Sequence, residues 1–91
     1  MERIARFGRL KANAVHEYRL LHQEMSAELL DAHRKAGFRN FSIYLRGVEL
    51  FSYVECDNWE LALAKFSTFP IAQDWSKRVS YLLDEPLEWE V

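Results

Sequence analysis

His22 is the residue of this sequence best suited to chemistry, and Tyr18 stands one helical turn before it. Val15, Tyr18, His22, Met25, Leu29, Ala32 and Ala36 recur at steps of three and four, the period of one stripe on an amphipathic helix. An imidazole set in an apolar stripe needs partners for its polar nitrogens. One reading is a core histidine bonded to a backbone carbonyl. The other is a general acid–base group, because histidine titrates near neutrality. The i−4 spacing then offers the Tyr18 phenol to the same pocket. Trp75 lies on a second apolar stripe, where it is either core packing or a flat platform for the apolar face of a sugar ring.

Other chemistries find little support. His22 and His33 fall on one face of a continuous helix, about 16 Å apart at its rise per residue, too far to share an ion. His16 lies on another face, and Cys-x-x-Cys and His-x-x-x-His are both absent, so no metal site is expected. Three glycines cannot build a dinucleotide fingerprint or a phosphate loop, and no serine sits in a nucleophile motif. No cofactor is therefore expected. His33, Glu28 and Cys56 receive no function.

Composition bounds the class. At 49% hydrophobic and 14% aromatic the chain is too apolar to be disordered, and its 91 residues suit one domain, 1–91. Twelve basic against fourteen acidic residues leave a net charge of −2. Arg3, Arg6, Arg9 and Lys11 alternate, as on a solvated strand face, so a nucleic-acid partner is not expected. Cys56 has no second cysteine to pair with, which fits a reducing compartment. No apolar run is long enough for a signal peptide or a membrane span, making the cytoplasm the default.

The elements that must position these residues follow from periodicity. Residues 4–11 alternate as a strand; Asn13 is an N-cap candidate, and one helix runs over 14–36, closed by Gly37. Strands at 40–46 and 49–56 flank a turn at Arg46-Gly47. Asp57 or Asn58 caps a short helix bearing Trp59, Ala62, Leu63 and Phe66. A further helix starts near Pro70 and carries Ile71, Trp75, Val79 and Leu82 or Leu83. Pro86 ends it, and 87–91 alternate as a last strand. The order β-α-β-β-α-(α)-β is the α+β, ferredoxin-like split βαβ arrangement. Aromatics in both registers of the middle strands give the sheet a second apolar face, which pairing with another copy would cover.

The runs H-E-Y-R-L-L-H (16–22), A-G-F-R-N-F-S-I-Y-L (36–45), L-F-S-Y-V-E (50–55), A-Q-D-W-S-K (72–77) and L-E-W-E-V (87–91) resemble the L-rhamnose mutarotase family over nearly the whole chain. The resemblance implies a dimeric α+β barrel that interconverts the α and β anomers of a 6-deoxy sugar, without cofactor or metal. It implies His22 as the proton donor and Tyr18 as a substrate contact. A second binding tyrosine of the family falls at Phe41, without the hydroxyl. A late Trp-Trp pair falls at Trp75 and Ser76, and a tryptophan four residues after the histidine is replaced by Ser26. Two alternatives stand beside this reading. One is a catalytically silent sugar-binding or interaction domain, the other a small monooxygenase on the same scaffold.

Overall fold

The computed structural model describes residues 1–90, with side chains placed through Asp84. Eight elements run in the order β1 (Glu2–Leu10), α1 (Val15–Gln23), α2 (Ala27–Ala36), β2 (Arg39–Arg46), β3 (Glu49–Cys56), α3 (Trp59–Phe66), α4 (Pro70–Leu82) and β4 (Leu83–Glu90). The strands form one antiparallel sheet in the order β2-β3-β1-β4. β1 and β2 run the same way, so they need a crossover, and α1–α2 supply it; α3–α4 do the same between β3 and β4. This is the expected ferredoxin-like topology.

Strand alternation decides which residues meet the helices. Ile4 and Leu10 of β1 and Leu50, Ser52, Val54 and Cys56 of β3 are buried on one face. Leu10 and Leu50 pack with Ala14, Tyr18 and Leu82, joining the sheet to α1 and α4. Each buried leucine contributes about 1.5–3 kcal/mol. On the other face Phe7, Tyr44 and Phe51 come into register across three strands. The Phe7–Phe51 and Tyr44–Phe51 ring centroids lie 5.0 and 6.2 Å apart, and all three rings remain exposed.

Three expectations are corrected. The single helix over 14–36 is two helices. Ser26 adopts an extended backbone (ψ 156°), and its Oγ accepts the Leu29 N–H at 3.1 Å, starting α2 afresh. Asn13 does not cap α1: Ala14 precedes the first turn with no side-chain cap, and its N–H donates to the Lys11 carbonyl at 3.0 Å. Pro86 does not end α4. Leu83 is already extended and pairs with Leu10, while a register shift sets Gly8 opposite Pro86 and Leu87. A bulge on an edge strand tolerates a proline, which has no N–H to donate. Gly37 does close α2, in the left-handed region at φ 98°, and Gly47 (φ 60°) turns the β2–β3 hairpin. The expected last strand began later and ended on Val91, which lies outside the described residues.

Candidate functional site

Between the inner sheet face and the helices lies a cavity of about 490 Å³, to which all eight elements contribute a side chain. That volume is in the range that takes small molecules. Tyr18, His22, Phe41 and Trp75, the four residues singled out from the sequence, all line it. Ser76 lines it as well; Ser26 does not, and instead caps α2 at the edge of a separate groove.

α1 delivers Tyr18 and His22 to one face because they are four residues apart. Their ring centroids are 4.3 Å apart, and Trp75 of α4 meets the imidazole edge-on at 5.0 Å. His22 Nδ1 lies 3.0 Å from the Tyr18 carbonyl oxygen. A carbonyl only accepts, so Nδ1 is the nitrogen that carries the proton. In the neutral ring Nε2 is then the acceptor. Burial lowers the His22 pKa, the bond to the Tyr18 carbonyl opposes this, and the charges of His33 and Arg6 lower it further. The resting imidazole is therefore neutral near pH 7. Burial pushes the Tyr18 phenol up to about 12, against the pull of the Arg6 guanidinium, so its hydroxyl stays protonated and can donate. The pair thus offers one proton acceptor and one proton donor to the same space.

Two further lining residues escaped the sequence reading. His33, on α2, repeats the His22 arrangement: Nδ1 donates to the Leu29 carbonyl at 2.9 Å. The ring is packed against Phe38, Phe41 and Phe66, with the nearest centroid at 4.6 Å. Arg6 is not on a solvated face. It shares strand parity with buried Ile4 and Leu10, and its Nε–H donates to buried Ser52 Oγ at 3.2 Å. Its guanidinium carbon lies 5.6 Å from the ring centres of both Phe41 and Trp59. Parity with Ile4 and Leu10 was the signal that could have found it. The straight-helix separation of His22 from His33 no longer applies, because the chain breaks between α1 and α2 and both rings reach one cavity.

An imidazole and a phenol opening into a mostly apolar chamber on a ferredoxin-like sheet form the layout of a small acid–base enzyme. The sequence supplies the family: the model described as L-rhamnose mutarotase matches residues 3–89, and the chain belongs to the L-rhamnose mutarotase family. It is accordingly an isomerase that exchanges the anomers of a sugar. No curated protein matches the chain in sequence. Among solved structures it is similar to an L-rhamnose mutarotase from Formosa agariphila, with TM-score 0.74, 17% identity, and 94% of this chain and 83% of that one covered. It is also similar to an antibiotic biosynthesis monooxygenase (0.74, 11%, 99% and 94%). A NIPSNAP domain protein from Burkholderia xenovorans shares the fold too (0.68, 15%, 100% and 93%). At these identities the structural likeness speaks for the fold alone. The family match, and not the fold, separates mutarotase from monooxygenase.

Proposed function

We propose that His22 moves the proton in anomer exchange of a 6-deoxy sugar such as L-rhamnose, with Tyr18 as its hydroxyl partner and Trp75 and Phe41 as apolar walls for the ring. The observation that carries this reading is the His22 Nδ1 bond to the Tyr18 carbonyl, which leaves Nε2 basic beside a cavity. Nε2 takes the proton from the anomeric hydroxyl. The electrons left on that oxygen form the C1 carbonyl, the bond from C1 to the ring oxygen breaks, and the ring oxygen takes a proton from the imidazolium or from Tyr18. Rotation about C1–C2 and the reverse transfers close the ring on the other face. Every proton removed is returned, so the step needs no net acid or base.

Saturation-transfer NMR tests it. With protein added, the α and β resonances of L-rhamnose should exchange faster than in buffer. No acceleration on any 6-deoxy sugar would overturn the reading in favour of a silent sugar-binding domain.

We also propose a homodimer closed through the outer sheet face, where Phe7, Tyr44 and Phe51 are 51, 60 and 37% exposed. Sedimentation should give a dimer at micromolar concentration, and Phe51→Arg a monomer; a wild-type monomer would refute it. The buried, unpaired Cys56 thiol fits a reducing compartment, so the proposed setting is cytoplasmic.

A further inference from the structure

Arg6 is the feature of the cavity that exchange of a neutral sugar leaves unused. Of its five N–H bonds, the described structure commits one, the Nε–H to Ser52 Oγ. The guanidinium carbon lies over the rings of Phe41 and Trp59, which favour a cation but offer no hydrogen-bond acceptor. Among the described residues no carboxylate lies within ion-pair distance of it. Asp84, the acidic side chain lining the cavity among those residues, is exposed and forms no pair with it. A half-buried guanidinium normally gains a carboxylate partner, because the lost hydration must be replaced. Here the two terminal nitrogens remain, in the fork geometry that matches an oxyanion with two parallel bonds.

We propose that this cavity takes, besides the 6-deoxy sugar proposed above, a sugar with a carboxylate in place of the methyl, a hexuronic acid, with the Arg6 fork on the carboxylate and the anomeric carbon at His22. The second half of that statement rests on the function proposed above; the first does not. A singly charged carboxylate suits the site better than a phosphate. Arg6 is the one fixed cation among the described lining residues, and His22 and His33 are each held toward their neutral forms. Phe41 and Trp59 would then flank the guanidinium, and the bond to Ser52 would orient it.

The test uses sugar pairs that differ only in carboxylate against methyl at C5. They are D-galacturonate with D-fucose, D-glucuronate with 6-deoxy-D-glucose, D-mannuronate with D-rhamnose, and L-mannuronate with L-rhamnose. Binding to the purified protein is followed by NMR titration. In at least one pair the uronate should bind about tenfold tighter or more, the scale of a charge-assisted bidentate contact. In Arg6→Gln the ratio within that pair should fall to about one, and Arg6→Lys, which keeps the charge and loses the fork, should lie between. A merely structural Arg6 would weaken both members of a pair together and leave the ratio unchanged. The proposal is overturned if the methyl sugar binds as well in every pair, if Arg6→Gln keeps the preference, or if galactose 6-phosphate outcompetes galacturonate. The wild-type ratios decide even if Arg6→Gln fails to fold. Tight uronate binding without anomer exchange would retain the carboxylate site and remove the mutarotase assignment of His22.

Discussion

His22 and His33 are built alike and are placed in unlike surroundings. Each sits on a helix, donates Nδ1–H to the carbonyl four residues back, and lines the same cavity. Burial lowers the pKa of both, and a backbone bond opposes it in both. What differs is the company. His22 has a phenol on one side and an indole edge on the other, whereas His33 is closed in by three phenylalanine rings. The local device fixes a tautomer and nothing more. In the proposed exchange the free nitrogen needs a donor nearby, and among the described residues only His22 has a phenol in ring contact.

The comparison is broken most directly by removing each ring. His22→Ala should slow anomer exchange by about 10²-fold or more, the scale of a general acid–base group, with the thermal midpoint little changed. Equal exchange rates in wild type and variant would return His22 to a structural role. Tyr18→Phe keeps the ring packed in its cluster and removes only the hydroxyl, so a loss of about tenfold is expected in the same exchange measurement. If the imidazolium returns the proton alone, that loss shrinks toward none, which would sharpen the assignment rather than end it.

The sequence made His22 legible and hid His33, and the reason is the helix break. The stripe from Val15 to Ala36 keeps its period across residues 24–26, so it reads as one rod with the two histidines far apart. Ser26 followed by Glu28 carried the signal of a new helix start, as a capping serine with an acid in the first turn. Arg6 was hidden differently. Its neighbours Arg3 and Arg9 do face outward, and only strand parity separates it from them. The order of the four strands and their helical crossovers, the hairpin and the C-cap at Gly37 were readable because turn chemistry and period agree there. The cavity was not, since its residues come from eight elements and meet only through sheet register and crossover.

The aromatic end of the comparison yields a smaller effect on rate and a larger one on stability. His33→Ala removes a half-buried ring from among Phe38, Phe41 and Phe66 and leaves the Leu29 carbonyl without its side-chain donor. Stability should fall by about 1–3 kcal/mol, read from a denaturant melt. Exchange per folded molecule should stay within about threefold of wild type. A loss as deep as that of His22→Ala would mean the cavity has two acid–base groups.

The last contrast is in pH, and its sign follows from the lowered pKa values. In the folded chain both imidazoles hold their protons less tightly than in the unfolded chain, where histidine titrates near about 6.5. Below that pH the unfolded state takes up protons that the folded state refuses. Stability is therefore full above the ordinary histidine pKa. It declines as pH falls from there, and the decline levels off once the folded rings protonate too. Asp31, held low by Lys35 and Arg34, and Asp57, held low by Arg39, add their own losses only in the carboxylate range. Thermal melts from pH 8 to pH 5 should show the decline, and His33→Gln should remove part of it. The exchange rate should respond to His22 alone, staying level above the histidine range and dropping below it as Nε2 is protonated. His33→Gln should keep that acid limb and move it somewhat to higher pH, because the His33 charge that lowers the His22 pKa is gone while His22 still titrates. If His33→Gln flattens the limb, the two histidines are coupled in the reaction, and the separation drawn from their neighbours fails.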